Sequence, residues 1–122
     1  MGRSITSGTG GVSLQSGDSI QLLTTDSDIN APAGATINLD LDFDDNANGS
    51  FVSVAGADIN LANNNVAVTL TGSGIAIGGT ISSGNQDITL QTSTLSRTIG
   101  IRGAGDFAFE TVSELTNLNS TG

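Results

Sequence analysis

Apolar and polar positions alternate along most of this chain in short bursts. The segment from Ala35 to Ala62 carries the unit three times, as Thr36-Ile37-Asn38-Leu39, Phe51-Val52-Ser53-Val54 and Asp58-Ile59-Asn60-Leu61. Each predicts a strand of about four or five residues with one face buried and one wet. Gly, Ala, Asn or Asp closes each unit. Similar starts at Val12, Ile20, Ile29 and Ile37 precede it. The pattern continues through Ile59, Val66-Ala67-Val68, Ile75-Ala76-Ile77, Ile81, Ile88-Thr89-Leu90, Ile99-Gly100-Ile101 and Phe107-Ala108-Phe109.

Strands this short, set at steady spacing by Gly/Asn/Asp/Ser corners, leave two all-β architectures: a sandwich or barrel, and a solenoid with three strands to a coil of about 22 residues. Three features favour the solenoid. Hairpin dipeptides are nearly absent apart from Asn48-Gly49. Aromatic residues, which normally fill a sandwich core, are scarce. The triplets Asp28-Ile29-Asn30, Asp58-Ile59-Asn60 and Asp87-Ile88-Thr89 read as one structural position visited repeatedly. The expectation is a parallel β-helix of about five coils, each rising about 5 Å, over residues 1–122 as a single unit.

Two stretches depart from the repeat. Between Leu39 and Val52, Leu39, Leu41 and Phe43 alternate with Asp40, Asp42 and Asp44, which predicts an elongated strand with a row of carboxylates outside, ending in a corner. Near the end, Thr111 or Ser113 is placed to cap a short helical turn carrying Glu114, Leu115 and Leu118. A solenoid must cover its open end or continue into another coil. Residues 106–122 are therefore expected to be a cap or a junction to a following module.

Composition narrows the function classes. The 122 residues include seventeen Gly, one Pro and four Phe, with no Tyr, Trp, Cys or His. A net charge of −9 against Arg3, Arg97 and Arg102 offers no basic patch for nucleic acid or an anionic membrane surface. No stretch is long and apolar enough to insert in a membrane as a helix. The start enters the repeat without the apolar core of a signal peptide, as an internal segment of a longer protein would.

The Gly-closed coils Gly17-Asp18-Ser19-Ile20-Gln21-Leu22, Ala57-Asp58-Ile59-Asn60-Leu61 and Asn85-Gln86-Asp87-Ile88-Thr89-Leu90, with the closing run Thr98-Ile99-Gly100-Ile101-Arg102-Gly103-Ala104-Gly105-Asp106-Phe107 before Ser113-Glu114-Leu115, resemble the filamentous-haemagglutinin-like family. These are the right-handed parallel β-helix regions of large bacterial secreted adhesins and two-partner-secretion exoproteins. The resemblance implies a right-handed coil, an extracellular or cell-surface address, and a scaffold or adhesive role. Its implied partners are the rest of a larger exoprotein and a host-surface or glycan receptor. Open coil ends also allow end-to-end self-association.

Catalysis is not expected. Without His, Cys, Lys or Tyr only carboxylates, Arg and hydroxyls remain, and Arg97 and Arg102 lie far along the chain from the acidic run. Asp42 and Asp44 are the one carboxylate pair that a glycosidase-like cleft would use, and aromatic platforms for sugars are lacking. No cofactor is required. Calcium is the stronger chemical candidate: Asp40, Asp42, Asp44, Asp45, Asn46 and Asn48 offer hard oxygen ligands. Asp42 to Asn46 match the first spacings of an EF-hand loop, but Ala47 stands at the Gly position and Ser53 in place of the closing Glu. A solvated acidic edge explains the same residues. Asn63, Asn64 and Asn65 read as a corner with one Asn in a left-handed conformation. The expected function is thus a non-catalytic structural segment of an adhesin or exoprotein shaft. The alternative is a cation- or glycan-binding module using the protrusion at residues 40–48.

Overall fold

The computed structural model describes residues 3–44, 46, 48–60, 65–94, 96, 98–101, 107–109 and 112–121. The chain is all-β in character, and its strands are short. β1 (Ile5–Thr6), β2 (Val12–Gln15) and β3 (Ser19–Leu22) come first. β4 (Ile29–Asn30), β5 (Thr36–Asp40) and β6 (Ser50–Ser53) then pair with them, one on one and all parallel. Ile59 bridges to Ile29, β7 (Ala67–Gly72) adds to β5 and β8 (Gly74–Ile77) adds to β6. Next, β9 (Ile81–Gly84) is joined to Ile59 by a bridge at Ile81, and β10 (Ile88–Thr92) pairs with β7.

From β1 to β10 successive strands thus fall in turn into three parallel sets, one of them joined across Ile59 only by single bridges, and none of the sheets among the described residues closes on itself. Equivalent residues are separated by 20 positions between Thr71 and Gln91 and by 31 between Ser19 and Ser50. The three units read from Ala35 to Ala62 belong to three different sheets, so they are three sides of one circuit.

Parallel in-register pairing stacks like on like. On one sheet Val12, Ile37, Val68 and Ile88 form one inward row, and Leu14, Leu39, Leu70 and Leu90 form the next. On another, Ile5, Ile29, Ile59, Ile81 and Leu118 follow one another. The third stacks Ile20, Phe51 and Ile75. Members at the middle of each row are fully buried, while Leu14, Ile20, Ile88 and Leu90 at the ends are half-buried. Phe51 is buried completely, so the interior accommodates a ring between aliphatic neighbours.

The corners are held by side chains as well as by backbone. The Asp28 carboxylate accepts the Asp58 N–H at 3.2 Å, and the Asp58 carboxylate accepts the Thr80 N–H at 2.6 Å. Asp28 and Asp58 are thus one position revisited, as their triplets predict. The third triplet is not: Ile88 pairs with Val68 on a different sheet. Asn60 takes the left-handed conformation, with φ of 59°, whereas Asn63 and Asn64 lie outside the described residues. Gly49 is required sterically, because a Cβ there would stand 1.6 Å from the Leu41 carbonyl oxygen.

The last elements depart from the rotation. β11 (Ile99–Ile101) pairs with β12 (Phe107–Phe109), which runs beside β8. α1 (Val112–Thr116) follows, and β13 (Leu118–Ser120) adds to β9. Ser113 lies within α1 rather than ahead of it, so it is not the helix cap. Thr111 and residues 102–106 of the closing run lie outside the described residues. Buried Glu114 accepts the Ile77 N–H at 3.1 Å, and Asn117 donates to the Ile77 carbonyl at 2.8 Å. Two side chains thereby meet the backbone groups at the end of β8.

Leu39→Ala and Leu70→Ala, at fully buried sites in the middle of a row, are expected to destabilise the chain by about 2–5 kcal/mol. Thr69→Ala, one residue away on the outward face, is expected to stay within about 0.5 kcal/mol. Urea unfolding midpoints at constant slope check the contrast.

Candidate functional site

The acidic corner begins where β5 ends. The alternation predicts a strand running on to Asp44, but β5 stops at Asp40. Leu41 is held one step further by its N–H on the Thr71 carbonyl, and the Phe43 N–H then turns back to the Ser16 carbonyl of the preceding circuit. That turn breaks the alternation: Leu41 and Asp42 are both buried, at 0% and 1% exposure, while Phe43 is 60% exposed. The carboxylates of Asp40, Asp42 and Asp44 therefore do not form a row on one outer face.

Each has a separate setting. Asp40 is half-buried on the outer side of the sheet, in register with Gln15 and Thr71. Asp42 points inward, and its Oδ2 accepts the Ser93 hydroxyl at 2.6 Å. This contact joins the ends of β5 and β10 past β7, which lies between them. Asp44 lies over Gly17, where a Cβ would stand 3.2 Å from its Oδ2.

Asn46 donates to Asp44 Oδ2 at 2.8 Å, and its own Oδ1 accepts the Asn48 N–H at 3.0 Å, a local turn that closes the corner. Ser73 then fastens the returning chain, with its N–H and hydroxyl both donating to the Gly49 carbonyl at 2.8 and 2.7 Å. Asp45 lies outside the described residues. Among the described residues, no three acidic side chains come together as a cation site.

A second polar arrangement escapes the reading of the sequence. On the outer face of the β2–β5–β7–β10 sheet, pairing brings Ser13, Asn38, Thr69 and Thr89 into one row and Gln15, Asp40, Thr71 and Gln91 into another. Ser13, Gln15, Asn38, Asp40, Thr69, Thr71 and Gln91 edge a shallow trough. The signal was present as polar alternate positions in each strand. The unequal circuit lengths hid which strands share a sheet.

Compared with protein-family models, with curated proteins and with solved structures, the chain finds no match. Fold and site together define, among the described residues, an all-β chain of open parallel sheets with an Asp- and Asn-rich corner after β5. No helix among the described residues is long and apolar enough to cross a membrane.

Asp42→Ala is expected to cost about 1–3 kcal/mol by stranding the Ser93 hydroxyl near a buried site, and Asp44→Ala, at an exposed position, less than about 0.5 kcal/mol. The unfolding midpoint is expected to be the same in millimolar calcium and in chelator. Equal losses for both variants together with a calcium-dependent rise would instead mean that these carboxylates converge on a cation.

Proposed function

We propose that the chain is a non-catalytic segment of the shaft of an extracellular or cell-surface adhesin or exoprotein, folded as a right-handed parallel β-helix of the filamentous-haemagglutinin-like kind. The observation that carries this reading is the succession of parallel strands in register, with mainly aliphatic side chains stacked in inward rows. In such a stack most contacts run between adjacent circuits, so length is added without redesigning a core.

The first circuit supports the same reading. β1, β2 and β3 are the terminal strands at one end of their sheets, and Ile5 in β1 is 46% exposed. A further circuit of a larger exoprotein placed there would continue all three ladders and cover Ile5. Receptor recognition then belongs to other parts of that protein, and this segment holds them away from the cell. The polypeptide supplies no His, Cys, Lys or Tyr as a ready acid, base or nucleophile, in keeping with a mechanical role.

Duplicating one circuit, residues 37–67, ahead of Val68 tests the proposal in the isolated chain. A shaft accepts the insertion: the protein stays folded, and its unfolding midpoint is unchanged or higher. Collapse or aggregation would contradict it. In the intact parent, deleting residues 5–121 is expected to shorten the surface projection while attachment to the receptor persists. Loss of attachment with no shortening would count against a shaft.

A further inference from the structure

We propose that the outer face of the β2–β5–β7–β10 sheet is a binding site for a neutral, hydroxyl-rich chain, an uncharged oligosaccharide lying in the trough between Ser13 and Gln91. This goes beyond the shaft reading, which needs no ligand on this face.

The trough has a volume of about 260 Å³. That is smaller than an ordinary small-molecule cleft, so it receives a short stretch of an extended ligand rather than enclosing a whole one. Its polar groups are three hydroxyls, three carboxamides and one carboxylate: Ser13, Thr69 and Thr71; Gln15, Asn38 and Gln91; and Asp40. Hydroxyls and carboxamides both donate and accept, which matches a sugar hydroxyl, itself donor and acceptor. Asp40 adds one charge-assisted acceptor for a hydroxyl donor.

The same inventory excludes other ligand classes. Among the described residues no cation lines the trough, and Asp40 repels anionic chains such as uronates or phosphates. Among the described residues no aromatic side chain lines it, so nucleobases gain no stacking platform there. The side chains are also oriented: Gln91 Nε2 donates to Thr71 Oγ1 at 2.7 Å, and Asn38 Nδ2 reaches Thr36 Oγ1 at 3.4 Å. Across the sheet the two rows repeat at the strand spacing of about 4.8 Å, so equivalent groups recur along a ligand that crosses the strands.

The neighbouring face does not offer this. Its outward rows are Ser19, Ser50 and Gly74, and Gln21, Val52 and Ala76, so it carries one carboxamide and no carboxylate where the other face carries three carboxamides and one carboxylate. Binding is thus confined to one side of the stack. With hydrogen bonds and no stacking, one such site is weak. A shaft that repeats the face gains by multivalency.

Amide-resolved NMR titration of the whole chain with cellohexaose, xylohexaose and mannohexaose tests the site, with trigalacturonate as the charged comparison. At least one neutral saccharide is expected to shift the amides of Asn38, Asp40, Thr69, Thr71 and Gln91 in a saturable way, and trigalacturonate to leave them in place. The map on the unaltered chain needs no variant, so misfolding cannot obscure it. The double variant N38A/Q91A is expected to weaken binding at least tenfold, while Gln21→Ala, on the outer side of β3, leaves it unchanged. The proposal is overturned if no neutral saccharide moves these amides, if the shifts map to Asp44–Asn48 instead, or if trigalacturonate binds equally well.

Discussion

Parallel pairing in register is the constraint on which this molecule rests. Once Ile37 sits beside Val12 and Val68, each following residue of β5 has its neighbours assigned, and inward side chains can only stack on their counterparts. The interior is therefore built mainly as rows of Val, Ile and Leu, with Phe51 and Ser53 as the members of another kind on the β3–β6–β8 sheet. Burial of such aliphatic groups contributes roughly 25 cal/mol per Å², and the rows share that contribution along their length. No single residue acts as a keystone. Those on the terminal strands, Ile5 foremost, receive least of it.

The corners answer to the same constraint, since each must return the chain one strand spacing further along. Backbone groups at a corner have no ladder partner of their own, and buried polar groups left unpaired are costly. Asp28 and Asp58 resolve this by accepting an N–H of the next circuit, and Ser73 does so by donating twice to the Gly49 carbonyl. At the far end Glu114 and Asn117 serve the backbone of Ile77 in a comparable way. Asp28, Asp58, Glu114 and Asn117 are thus structural joinery.

This explains which parts were legible in the sequence. Period-two alternation located the strands because burial enforces it, and the shared Asp-Ile-Asn triplet located one corner because its carboxylate has a fixed task. Asp87-Ile88-Thr89 shares only the first two residues of that triplet and lies on another sheet, since so short a match does not record which sheet it occupies. The row Asp40-Asp42-Asp44 was misread because alternation holds only while the chain stays extended. After Leu41 it turns back toward Ser16, which sends Asp42 inward and Phe43 outward. The polar rows of the outer face were hidden for a related reason: residues share a row only when the circuit length is known, and here it varies between neighbours.

Hydrogen–deuterium exchange resolved to single amides tests the central claim, that stability is shared along stacked rows in register. Protection is expected to peak in β5, β6 and β7, which are paired on both sides, and to fall toward β1, β2 and β3, with all three sheets showing the same gradient. Protection that is uniform along the chain, or highest in β1–β3, would contradict an open stack of parallel circuits.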